Sequence, residues 1–289
     1  MNFSYYIDKV TCSILRRLKF KFPYISRQMV VQRYVQKTFS PLLPTNYHIP
    51  LYSHDKPKEN IWICWWQGEN NMPLLVKQCY KKIIEMSNEK QVILINKDNY
   101  KTYIDIPDFI IEKLNKKIIT ITHFTDILRF ALLAKYGGWW MDLTIYPTRL
   151  IEHSTNIYTI KLPLQKQYIS EAKWSSFLWY LPVNHPLANF IVNSFYFYWS
   201  VNNKLIEYFL IDHLIRLFYD KIENFRIEID SLPIESPNLY YFQSNEALKN
   251  YDSQIWEKLK RENKYFKCNW RCNIEHYSDN SYLKQIILQ

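Results

Sequence analysis

The stretch THFTDILRFALLAKYGGWWMD, Thr122 to Asp142, carries the fold in its order of residue types. Phe124, Ile127, Leu128, Ala131, Leu132 and Tyr136 recur with a period near 3.6, so the first part is a helix with an apolar face. Thr122 is placed to cap its start, and Gly137 to end it with a positive φ. Trp139 to Asp142 then reads as a short strand with an acid at its carboxyl end. Upstream, Asn60 to Trp66 (NIWICWW) and Gln91 to Asn96 (QVILIN) are nearly continuous apolar runs, the mark of strands covered on both faces. A helix opened by Pro73 and running to about Ser87 lies between them, which makes a βαβ unit and predicts an α/β fold with a mostly parallel central sheet.

Glycine is scarce: the chain of 289 residues has 3, namely Gly68, Gly137 and Gly138. A chain that avoids glycine keeps it where another residue cannot adopt the backbone or would block a ligand. All three flank tryptophans at the ends of expected elements, in Trp65-Trp66-Gln67-Gly68 and Gly137-Gly138-Trp139-Trp140. In an open α/β sheet ligands lie beyond the carboxyl ends of the strands, so these two segments are expected to meet in one crevice.

The formal net charge of +10 is uneven. Residues 1 to 45 hold eight basic side chains against Asp8, a balance of +7, leaving +3 for the other 244 residues. Ile7, Val10, Ile14, Leu15 and Leu18 recur beside these basic residues at helical steps, the pattern of an amphipathic helix on an anionic membrane surface or on its own domain. The expected division is an arm over 1–45 and a domain over 46–289, split into halves at about 58–150 and 151–289. No run of 18 apolar residues or signal peptide is found, so a cytoplasmic protein peripheral to the inner membrane is expected. The five cysteines, Cys12, Cys64, Cys79, Cys268 and Cys272, make no metal-ligand pattern. The 17% aromatic content invites a nucleic-acid reading, yet Phe195, Tyr196, Tyr198 and Trp199 fall at core-helix spacing and the charge lies in the arm, so no nucleic acid is expected.

Downstream, residues 157 to 181 read as short strands, 186 to 200 and 204 to 221 as aromatic-rich helices, and 251 to 261 as a short helix in an otherwise irregular tail. Asp126 and Arg129 are three apart and share a helix face, where an isolated pair would simply form a salt bridge. The long ordered pattern Thr-Asp-x-x-Arg-x-x-x-Leu-x-x-x-Gly-Gly-x-x-x-Asp from Thr125 to Asp142, with Trp66-Gln67-Gly68 upstream, resembles the nucleotide-sugar-dependent glycosyltransferases of family 32. Within them it looks closest to the bacterial capsular polysaccharide synthesis branch. The likeness covers roughly residues 55 to 280 and leaves the arm outside.

That resemblance implies a Rossmann-like, GT-A-type domain and retaining sugar transfer from a nucleoside diphosphate sugar, with a UDP-sugar as donor, to a surface polysaccharide or lipid-linked oligosaccharide. It implies a catalytic set of Asp142, Asp126, Arg129 and Asp212, with Asp212 on a helix as either a site carboxylate or a surface residue. It implies that Trp66, Gln67, Gly68, Gly137, Gly138 and Thr144 bind the donor, Trp66 stacking on the base while Trp65 turns to the core. The family's Asp-x-Asp would ligate Mn²⁺ or Mg²⁺; here it reads Asp142-Leu143-Thr144, which leaves Asp142 as metal ligand, a hydroxyl in the second place and Asp212 as a candidate second carboxylate. Lys267, Arg271 and His276 are further candidates for closing over the diphosphate. A catalytically inactive scaffold is the alternative that Thr144 raises.

Overall fold

The computed structural model describes residues 22–48, 59–152, 156–272 and 274–288. Three strands form first in the chain: β1 (Asn60–Cys64), β2 (Gln91–Ile95) and β3 (Gly138–Met141). They are parallel, with β1 between the other two, and β6 (Leu178–Leu181) and β5 (Tyr158–Thr159) extend the sheet in the order β2-β1-β3-β6-β5. β6 runs against both of its neighbours, so four of the five strands share one direction. A separate antiparallel pair joins β4 (Ile145–Pro147) to β7 (Tyr265–Lys267).

Both faces of the sheet are covered, as its unbroken apolar strands require. Trp62, Trp140, Trp179 and Ile95 belong to one large core and Ile61, Ile63, Trp139, Met141 and Tyr180 to a second, the alternation expected of a pleated strand. Each buried indole removes on the order of 200 Å² from water, a gross gain of about 5 kcal/mol. The first core is roofed by helices α1 (Phe22–Phe39), α5 (Ile121–Tyr136), α6 (Pro186–Val201) and α7 (Leu210–Lys221). The second is covered through Val76 and Ile83 of α2 (Leu74–Glu85), the βαβ crossover. One-turn α3 (Tyr100–Tyr103) and α4 (Asp108–Asn115) lead from β2 towards α5, and α8 (Glu223–Ser231) and α9 (Ser253–Glu262) follow α7.

Several expectations are corrected. Thr120 rather than Thr122 caps α5, its hydroxyl accepting from the His123 N–H at 3.2 Å. Residues 204–209 are not helical: the Glu207 carboxylate takes the Tyr208 N–H at 3.0 Å and Arg27 at 2.5 Å, and α7 begins at Leu210. Of the strands expected over 157–181, only β5 and β6 form, joined by turns. Strand β7 was not foreseen, because three residues paired with a distant partner leave no periodic signal. The boundary at 45 does not separate an arm from the domain, since Val31, Val35 and Phe39 of α1 are fully buried in the first core. The amphipathic repeat from Ile7 to Leu18 lies outside the described residues.

Gly137 and Gly138 owe their identity to backbone crowding. A Cβ on Gly137 would sit 2.5 Å from the Val183 nitrogen, and one on Gly138 2.5 Å from the Asn60 oxygen of β1, both at positive φ. Gly68, with φ of 85°, faces open space instead. The expected consequence is that Gly138→Ala loses several kcal/mol, on the order of 3, whereas Gly68→Ala loses about 1. Chemical denaturation of the two variants beside the parent measures the difference.

Candidate active site at the carboxyl ends of two strands

The chain leaves β1 for β2 on one side and later places β3 on the other, so the ends of β1 and β3 form a switch point where a crevice opens. The register pairs Ile61 with Trp139 and Trp62 with Trp140, which brings Cys64 level with Asp142. Trp140 and Asp142, two residues apart, point to the same side of the strand, towards α5. The Trp140 indole N–H accordingly donates to Asp142 Oδ1 at 3.0 Å.

Arg129 projects from α5 into the same place. Its Nη2 lies 3.3 Å from Asp142 Oδ1 and 3.3 Å from Asp126 Oδ1, its Nη1 donates to the Ser176 carbonyl, and its guanidinium stands 5.0 Å from the Trp140 ring centre. Lys267 of β7 reaches the other carboxylate oxygen, Nζ to Asp142 Oδ2 at 3.1 Å, with its ammonium 4.3 Å from the Phe177 ring centre. Asp142 is anchored through its own N–H, which donates to the Phe177 carbonyl at 3.0 Å. A carboxylate held between a guanidinium and an ammonium is the centre of the cluster.

The three acids near this centre differ in charge state for stated reasons. Burial works to raise the Asp142 carboxyl, but Lys267, Arg129 and the Trp140 N–H outweigh it and hold it below the usual range. Burial lifts Asp126 to about 7 against the pull of Arg129, with Asp142 and Asp212 adding repulsion. Burial also lifts Asp212 to about 6, against its bond from the Trp174 indole N–H at 2.9 Å and the field of Arg129. His123 is pushed down to about 4 by burial, and its Nε2 accepts from the Trp199 indole at 2.9 Å, so it is a neutral support for the start of α5.

Beside the cluster opens a cavity of about 370 Å³, in the lower range of ligand pockets. Asp212 lies in its wall with Trp174, Tyr168, Phe177, Phe209 and Tyr240, and Ser176 and Phe177 belong to both cavity and cluster. Rings for the C–H faces of a sugar and a carboxylate for its hydroxyls suit a carbohydrate. These aromatic residues went unnoticed in the sequence, because most come from the turns before β6 and from other irregular segments.

The remaining expected residues are placed as follows. Trp66 is half-buried and packs on Tyr100 and Phe124 at 5.4 and 5.0 Å between ring centres. Trp65 turns to the opposite side from Trp66, as expected, and packs half-buried against the second core, its N–H donating to the Asn71 carbonyl at 3.2 Å and its ring edge meeting Trp270 at 5.6 Å. Gln67 is exposed, its carbonyl accepting from Asn71 at 2.8 Å. Packing accounts for Gly137 and Gly138, while Gly68 keeps the open approach a ligand needs. Thr144 is buried and its carbonyl accepts from the Cys268 N–H at 2.7 Å. Arg271 and His276 are exposed.

The donor set does not fit the expected divalent cation. Asp142 Oδ1 faces Arg129 and the Trp140 N–H, Oδ2 faces Lys267, and Thr144 brings no second charge. Among the described residues no group of three or more His, Cys, Asp or Glu side chains is arranged to hold a metal.

A parallel-stranded α/β core with a charged crevice at its switch point defines the class. The chain belongs to the capsular polysaccharide synthesis protein family, whose model matches residues 14–286. The match begins well before residue 45, within the segment that the sequence resemblance left outside, and α1 is packed accordingly. Among solved structures, one named PaToxG Glycosyltransferase is similar at 14% identity and a TM-score of 0.41, over 86% of this chain and 95% of that one. No curated protein matches. No helix among the described residues is long and apolar enough to cross a membrane.

Stability should follow the shifted acids. Asp126 and Asp212 keep their protons to about 7 and about 6 in the fold, against 3.8 when exposed, so between these values the folded state binds more protons and stability falls as pH rises. Asp142 has the opposite sign: its contribution is present above the exposed value and is lost in more acid solution. Asp126→Asn removes one downward component. Thermal midpoints measured from pH 5 to 8 are expected to decline less steeply in that variant than in the parent.

Proposed function

We propose that the protein is a retaining glycosyltransferase that moves a sugar from a nucleoside diphosphate sugar, with UDP as the expected nucleotide, to a growing surface polysaccharide or lipid-linked oligosaccharide. The observation that carries this reading is the Arg129–Asp142–Lys267 cluster at the switch point, next to an aromatic cavity bearing Asp212. Membership in the capsular polysaccharide synthesis family supports it. So does the sequence resemblance to family 32.

In this reading the diphosphate lies at the strand ends and the base on the free face of Trp66, an indole being a suitable platform for any base. Asp126 holds hydroxyls of the donor sugar, and Arg129 serves both those hydroxyls and the diphosphate. The aromatic cavity takes the acceptor sugar. The anomeric C–O bond breaks as the diphosphate leaves with its electron pair, the acceptor oxygen bonds the same face, and the acceptor proton passes to the departing phosphate. The basic residues before α1 bring the enzyme to an anionic inner-membrane surface, where a lipid-linked acceptor is found.

Three outcomes are expected. Screening nucleotide sugars for hydrolysis without acceptor identifies one donor class, and Asp142→Asn lowers its turnover at least about 100-fold while moving the thermal midpoint by only about 4 °C or less. Collapse of folding in that variant would make the residue structural. Trp66→Ala weakens nucleotide binding about tenfold or more, tenfold being about 1.4 kcal/mol within the roughly 1–3 kcal/mol of one stacked base. Removal of residues 1–20 spares transfer to a soluble acceptor and weakens sedimentation with anionic vesicles. Nucleotide binding without turnover of any donor would favour the scaffold reading raised by Thr144.

A further inference from the structure

We infer that Lys267, acting with Arg129, takes the place of a divalent cation, so that this site holds a diphosphate with charges built into the chain. The inference rests on the nucleotide-sugar reading above and concerns how the same site meets its anion.

Position is the first argument. Antiparallel pairing of β4 with β7 sets Ile145 opposite Lys267, and the Cys268 N–H bonds the Thr144 carbonyl at 2.7 Å, so β7 is fastened to the turn that follows Asp142. The Lys267 ammonium therefore arrives 3.1 Å from Asp142, the place where a metal held by that carboxylate would stand. Its side chain is 14% exposed, between the Phe177 ring and the acid, whereas the Asp142 side chain is 32% exposed and leaves the cluster open on one side.

Charge is the second argument. Two cations at the cluster equal the charge of one Mg²⁺ or Mn²⁺. A divalent ion added beside them is repelled by both, and the oxygens of the one carboxylate already face three donors. Thr144 in place of a second acid points the same way, since an added carboxylate would be needed to hold a metal and would oppose a diphosphate in its absence.

Donor capacity is the third argument. An ammonium carries three N–H groups, and one of those on Lys267 goes to Asp142. The others can turn to phosphate oxygens arriving from the open side, while Asp142 holds the amine in place.

The test is calorimetric titration with UDP, GDP and inorganic pyrophosphate, each in excess EDTA and in saturating Mn²⁺. At least one of the three is expected to bind in EDTA with an affinity within about threefold of that in Mn²⁺, a difference below 1 kcal/mol. Lys267→Met, which keeps the stem against Phe177, should bind at least tenfold more weakly in EDTA, about 1.4 kcal/mol, without recovery in Mn²⁺. Lys267→Arg should stay near the parent. Circular dichroism of each variant reports its folding, and the parent arms decide the matter if a variant does not fold. Binding that appears only with Mn²⁺ overturns this inference and leaves the nucleotide-sugar reading standing. So does full affinity in a folded Lys267→Met. No binding of any probe in either condition removes both.

Discussion

The carboxylate of Asp142 sits at the end of β3 between Arg129 and Lys267, and its ionisation depends on both. Burial alone would drive this acid to take up a proton, as it drives Asp126 and Asp212. The two cations come from different parts of the fold, one from α5 and one from β7. The arrangement ties the helix that roofs the first core to the small β4–β7 pair beside the second. Charge balance at one residue thus coordinates elements that share no continuous core.

The sheet explains why the acid is there at all. Gly138 admits the Asn60 carbonyl at a distance no side chain tolerates, so β1 and β3 come together in a register that brings Cys64 level with Asp142. Trp140 then spends its indole N–H on the acid and lends its ring to the guanidinium. Packing and chemistry are carried by the same side chain. The buried indole is part of the core and part of the site.

Much of this was legible in the residues. The 3.6-residue period from Phe124 onward, the apolar runs at Asn60 and Gln91 and the glycine stop at Gly137 each reflect local physics, and the structure has α5, β1, β2 and β3 there. The Asp126–Arg129 pair was legible for the same reason, being one helical turn apart. Lys267 could be noted as a basic residue near the site but not paired with Asp142, because β7 is three residues long and its partner is remote. The aromatic cavity was hidden for a related reason: Tyr168, Phe177 and Phe209 lie on turns without periodicity. The burial of α1 was masked by its arginines and lysine, whose charges suggested a detached arm while Val31, Val35 and Phe39 filled the core.

Lys267 follows Asp142 by 125 positions, and that spacing has a bearing on how the protein matures. During synthesis the residues of β1, β2, α5 and β3 all leave the ribosome before Lys267 does. Until then the acid has the Trp140 N–H and one guanidinium but no ammonium, and the crevice is poorer in positive charge. The positive character of the crevice therefore depends on a strand remote in sequence, and a chain in which β7 has not yet paired with β4 holds the acid with one cation fewer.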